Sequence, residues 1–130
     1  MSQLVLDTSA LLMWTLAPER LTKPAARAIA KAKPSGLLAT AISLWEIGLK
    51  VQQKKLTLGL EFTEYVRRLE LVAELTLLPV DVRTWLHTLE LDWSHRDPAD
   101  RVIVATADLR GVPLVTSDVT IGKFYRETIW

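Results

Sequence analysis

Cysteine is absent from this 130-residue chain, which excludes a disulfide framework, thiolate metal ligands and a cysteine nucleophile, and is compatible with the cytosol. No apolar run approaches the roughly 20 residues that a membrane-spanning helix requires, so no membrane association is expected. The opening stretch also lacks the basic-then-apolar form of a secretory leader, because Asp7, Thr8 and Ser9 interrupt the apolar residues between Leu4 and Leu12. We therefore expect a soluble cytoplasmic protein. Charge of one sign is missing as well: sixteen Lys and Arg stand against fifteen Asp and Glu, a formal net charge of +1. With no global field to attract a polyanion, any such partner has to be held by a local patch. What the chain does have is apolar material, 49% of its residues. That suffices for the core of one domain over residues 1–130, and no linker, repeat or low-complexity segment divides it.

The stretch 97–118, DPADRVIVATADLRGVPLVTSD, anchors the rest. Asp97 suits an N-cap, Pro98 the first helical position and Asp100 the third, where a negative charge faces free backbone N–H groups. From Val102 to Ala107 the helix is apolar or small on every side, which predicts that it packs inside the protein. Gly111 ends it, and Pro113 to Thr116 is a brief interior strand that delivers Asp118 past its carboxyl end. Leu4 to Leu6 and Leu37 to Thr40 read as similar strands. Helices are expected over Ser9–Leu16, Pro24–Lys33, Ser43–Gln53, Glu61–Glu70 and Asp81–Leu91, and a further strand over Leu75–Val80. Ser43 and Glu46 have the Ser-x-x-Glu form of a capping box. Val82, Trp85, Leu86 and Leu89 share one helical face, as do Phe62, Tyr65, Val66 and Leu69. Residues 121–130 are expected to make a turn and a short edge strand. Alternating strands and helices predict an α/β fold, a central parallel sheet covered by helices on both faces.

In such a sheet the site lies outside the carboxyl ends of the strands. Asp7 and Asp118 each follow a strand there, and Glu46 and Asp100 each sit in the first turn of a helix entered near that edge. Capping alone would account for each acid taken singly; their coincidence on one edge favours a shared pocket. Two unit charges about 4 Å apart repel by roughly 4 kcal/mol at an effective dielectric of about 20, so the pocket needs an offset. Protonation of one or two acids is one solution. A hard divalent cation such as Mg²⁺ or Mn²⁺ is the other, since it prefers carboxylate and water oxygens and keeps room for a phosphate. The lack of cysteine, and histidines outside this set, argue against zinc. A carboxylate-held Mg²⁺ suits hydrolysis of a phosphodiester.

The segments LVLDTSALL, ISLWEIGLK, DPADRVIVATA and PLVTSD, in this order and spanning nearly the whole chain, resemble the PIN-domain family and within it the VapC-type toxins of toxin–antitoxin pairs. The resemblance implies an α/β/α sandwich and a Mg²⁺- or Mn²⁺-dependent endoribonuclease. It also implies homodimerisation and neutralisation by a cognate antitoxin whose C-terminal segment lies across the active site. Carried over position by position, Asp7, Glu46, Asp100 and Asp118 are the metal-binding and catalytic acids, with Thr8 and Thr116 or Ser117 as supporting hydroxyls.

Other residues have two readings. Lys50, Lys54 and Lys55 could grip nucleic acid, but an ion pair of Lys50 with Glu46 and a solvated face is preferred. Arg96 and Arg101 could contact phosphate or balance Asp97 and Asp100. His95 could shuttle protons, although a lone loop histidine is more often structural, and His87 reads as inert. Trp14, Trp45 and Trp85 read as core or interface. Leu11, Leu12, Trp14 and Leu16 give the first helix surplus apolar surface for a dimer or antitoxin contact. Two rival functions are a receiver-like phosphoacceptor, which wants adjacent acids after the first strand where Asp7 is followed by Thr8, and a non-catalytic RNA-binding or adaptor module.

Overall fold

A computed structural model describes residues 3–130 except Lys33 and Ser35. In chain order it runs β1 (Leu4–Leu6), α1 (Thr8–Leu16), a 3₁₀ turn (Pro18–Arg20), α2 (Lys23–Lys31), β2 (Leu37–Thr40) and α3 (Ala41–Gln52). Then come α4 (Phe62–Glu70), β3 (Leu75–Leu78), α5 (Val82–Glu90), α6 (Pro98–Arg110), β4 (Leu114–Val115), α7 (Val119–Phe124) and β5 (Thr128–Ile129). The five strands form one sheet in the order β3-β2-β1-β4-β5, every pair parallel.

Successive strand residues point to opposite faces, and each face has its own core. Leu4 and Leu6 of β1, with Leu37 and Ala39 of β2, pack with Leu11, Ile29, Ile47, Tyr65 and Leu69 from α1 to α4. Val5, Leu38 and Leu114 pack on the other side with Ile103, Val104 and Ala107 of α6 and Ile121 of α7. This is the α/β/α sandwich expected. Helix α6 is the buried one: Val102 to Ala107 are all buried. It starts as the sequence predicts, the Asp97 side chain accepting the Asp100 N–H at 3.0 Å, and ends at Gly111 in the left-handed conformation with φ 64°.

Three local expectations are corrected. Helix α3 begins two residues before Ser43: Thr40 caps it by accepting the Ile42 N–H at 3.0 Å, so Ser43 and Glu46 lie inside the helix and form no capping box. Residues after Asp118 form helix α7, not a turn, because the Asp118 carboxylate accepts the N–H groups of Thr120 and Ile121 and starts it. Helix α5 is turned over relative to its apolar face. Thr84 and Thr88 are buried against α6, while Val82, Leu86 and Leu89 are 75%, 58% and 78% exposed. Burying these threonines costs little because their hydroxyls are satisfied, Thr84 by Asp81 and Thr88 by the Thr84 carbonyl. His87 fixes this orientation by donating to Asp108 of α6 at 2.6 Å. The predicted end of the second helix at Lys33 lies outside the described residues.

Candidate active site

Because all strands are parallel, their carboxyl ends meet at one edge. The chain enters the site there twice. After β1, Asp7 leaves the sheet with its N–H bonded to the Val115 carbonyl of β4, and its Oδ1 caps α1 by accepting the Ala10 N–H at 2.8 Å. After β4, Thr116 donates its hydroxyl to the other Asp7 oxygen at 2.5 Å and accepts the Asp118 N–H at 3.0 Å. One threonine thus ties the two strand-end acids together. Asp100 projects from the first turn of α6, where His95 Nε2–H donates to its Oδ2 at 2.8 Å.

Asp7 and Asp100 both feel neighbouring negative charge. Burial pushes Asp7 from the ordinary 3.8 up to about 6, with the Asp100 and Asp118 charges adding to the rise and the Thr116 and Ala10 hydrogen bonds opposing it. Asp100 is also raised, first by burial and then by the charges of Asp97 and Asp118, against the His95 hydrogen bond. Among the described residues, no Lys or Arg forms an ion pair with Asp7, Asp100 or Asp118.

Glu46 reaches the site by another route. Its Oε1 accepts the Thr8 hydroxyl at 2.6 Å, and Thr8 in turn lies 2.8 Å from the buried Ser43 hydroxyl. Having given its own proton to Glu46, Thr8 accepts that of Ser43. Thr8 directly follows Asp7, so Glu46 stands beside the strand-end acids through α1 rather than through the electrostatic set of three. Lys50 pairs with Glu46 at 3.5 Å, the i,i+4 arrangement preferred above. Ser117 is exposed and takes no part.

Residues that sequence reasoning misplaced are now clear. Ser43 supports Glu46; the spacing of three puts both on one helical face, a signal read as a cap instead. Arg101 forms no ion pair with Asp97 or Asp100: its guanidinium donates to the carbonyls of Thr88, Leu91, Trp93 and His95. Trp93 stacks on Phe124 with centroids 4.7 Å apart. Trp45 and Trp85 are 55% and 44% exposed, which removes the core half of their reading and leaves the interface half.

The donor set fits a hard divalent cation. It offers four carboxylates and neighbouring hydroxyls; the charges of Asp100 and Asp118 raise Asp7, that of Asp118 raises Asp100, and no Lys or Arg among the described residues pairs with any of the three. As they stand, no three acids or histidines among the described residues close on a single point. Mg²⁺ does not demand that, since it is commonly held through one or two carboxylates and keeps several waters.

Residues 4–127 match the PIN domain family. The chain is similar to Ribonuclease VapC22 of Mycobacterium tuberculosis, with 32% identity over 120 residues, covering 91% of this chain and 88% of that protein. In fold it is similar to a toxin–antitoxin complex from Klebsiella pneumoniae, with a TM-score of 0.67 and 16% identity over 98% of this chain and 97% of the other. It is also similar to VapBC2 from Rickettsia felis bound to a fragment of promoter DNA, with a TM-score of 0.65 and 13% identity over 98% of each chain. With its strand-end acids, its parallel sheet and these likenesses in agreement, the chain belongs to the PIN-domain family and, within it, to the VapC-type proteins.

Proposed function

We propose that residues 1–130 form a single nuclease domain, a Mg²⁺- or Mn²⁺-dependent endoribonuclease that acts in the cytoplasm as the toxin of a toxin–antitoxin pair. The observation that carries this reading is the elevation of Asp7 and Asp100 at the carboxyl edge of the sheet, to which the Asp118 charge contributes in both cases, with no Lys or Arg among the described residues paired to them. In this reading Asp7, Glu46, Asp100 and Asp118 hold the cation directly or through water. When bound, Mg²⁺ would polarise the scissile phosphodiester and acidify an attacking water. The protein's part is positioning. Thr116 orients Asp7 and the turn carrying Asp118, Thr8 and Ser43 orient Glu46, and His95 orients Asp100. Asp7, raised by burial to about 6, is the acid suited to take a proton from water as general base.

Two partners fit the remaining surface. A cleft of ≈ 390 Å³ between α1 and α4, lined by Trp14, Leu16, Leu60, Leu69 and Val72 with Arg68 beside them, suits an apolar antitoxin segment. The exposed stripe of Val82, Trp85, Leu86 and Leu89 suits a second copy of the chain packed α5 to α5. Antiparallel packing about a two-fold axis would set Arg83 of one copy near Glu90 of the other. The test of function is incubation of the purified protein with total cellular RNA in Mg²⁺, in EDTA, and with Asp100→Asn. Cleavage only by the unaltered protein in Mg²⁺ is expected. Cleavage persisting in chelator contradicts the metal mechanism, and RNA binding without cleavage favours an adaptor.

A further inference from the structure

The segment between α5 and α6, residues 91–97, has no regular secondary structure, yet it is anchored at several points. Arg101, one turn into α6, reaches back and donates to four carbonyls: Nη2 to Thr88 at 2.8 Å and Leu91 at 3.2 Å, Nη1 to His95 at 2.9 Å and also to Trp93. A planar guanidinium with five donors can hold several acceptors at once; a lysine ammonium cannot reproduce that fork. Trp93 lies flat against Phe124 of α7, the rings only 10° from parallel, and its other neighbour is the His95 ring at 4.7 Å. The strap therefore connects α6, whose first turn carries Asp100, to α7, whose N-cap is Asp118.

Its end point is His95. With its ring set by Trp93 and its carbonyl held by Arg101, His95 directs Nε2–H at Asp100 Oδ2. One oxygen of Asp100 is thereby occupied, while no described residue hydrogen-bonds the other through its side chain. We infer that Arg101, the strap 91–97 and His95 form a positioning device that presents Asp100 in one orientation, and that Arg101 is a structural clamp and not a contact to RNA phosphate. This deepens the nuclease reading and rests on it. Neither residue touches substrate in this account; both act through Asp100.

The test measures Mn²⁺ binding to the RNA-free protein by titration calorimetry, for the unaltered chain, His95→Ala, His95→Gln and Arg101→Lys. Losing a partner of a metal ligand typically weakens metal binding roughly ten- to hundredfold, and a loss in that range is expected for His95→Ala. Glutamine can offer an N–H over a similar reach, so His95→Gln should recover part of it. Arg101→Lys should resemble His95→Ala. In parallel, RNA affinity is measured against salt in EDTA for Arg101→Lys and Arg101→Gln. Loss of a single-strand phosphate contact would lower the slope of log affinity against log salt by about 0.7 for Arg101→Gln, whereas the clamp predicts no change. If His95→Ala binds Mn²⁺ as tightly as the unaltered chain while its melting temperature falls, His95 is merely structural and the inference fails alone. A lowered salt slope returns Arg101 to phosphate binding. If the unaltered chain binds no Mn²⁺, the nuclease reading fails and this one with it. Should Arg101 variants fold poorly, the two His95 variants decide.

Discussion

Replacing Asp7 with asparagine should make the protein more stable at neutral pH while removing an acid on which its proposed activity depends. In the folded chain Asp7 is pushed from 3.8 to about 6, so between those values the folded state retains a proton that the unfolded state has released. Folding then takes up a proton, and this group's contribution to stability falls as pH rises through that window. At about 1.4 kcal/mol for each tenfold change in acidity, the full penalty above about pH 6 is about 3 kcal/mol. Asparagine removes the charge and keeps an oxygen for the Ala10 N–H, but it weakens the Thr116 hydrogen bond, which offsets about 1 kcal/mol. The net gain of about 2 kcal/mol corresponds to a rise of roughly 6 °C in Tm for a chain of this size. Calorimetry in EDTA at pH 7.5 and at pH 4 measures it: the gain should be present at the first and largely gone at the second. Asp7→Asn melting at or below the unaltered protein at pH 7.5, or a difference independent of pH, would refute the reasoning.

Three further outcomes follow from the packing. Thr8→Val keeps the shape of the side chain but strips Glu46 of its donor and leaves the buried Ser43 hydroxyl without its acceptor; urea denaturation should show a loss of about 1–3 kcal/mol, with RNA cleavage reduced as well. Leu89→Glu changes a residue that is 78% exposed, so stability of the monomer should move by no more than about 0.5 kcal/mol, while light scattering behind a sizing column should show loss of the proposed dimer. Gly111→Ala forces an alanine into the left-handed region at φ 64° and should cost about 1–2 kcal/mol in thermal melts.

Much of the fold could be read from short apolar runs and their punctuation. Leu4 to Leu6 and Leu37 to Thr40 are strands where expected, and the Asp-Pro step and Gly111 bound α6 as expected. Periodicity served less well for α5, because it identifies an apolar face without saying what covers it. Here two threonines with internally satisfied hydroxyls fill the contact with α6, so the stripe around Trp85 faces outward. Helix α3 shows a related limit: Thr40 and Ser43 are both capable caps, and the end of β2 selects Thr40. At the site, the acids were identifiable as residues, and Thr116 only as one of two hydroxyls. Ser43 had a signal in its spacing from Glu46, but its contact with Thr8 of α1, like the roles of His95 and Arg101, depends on how separate elements or a loop come together, which composition and spacing do not encode.

The most direct test of the central claim is the anomalous signal of Mn²⁺ in crystals of this protein. A peak within coordination distance of Asp7 and of Asp100 or Asp118, with Glu46 bound directly or through one water, is the predicted result. A metal bound elsewhere, or none at this edge under saturating Mn²⁺, would contradict the account.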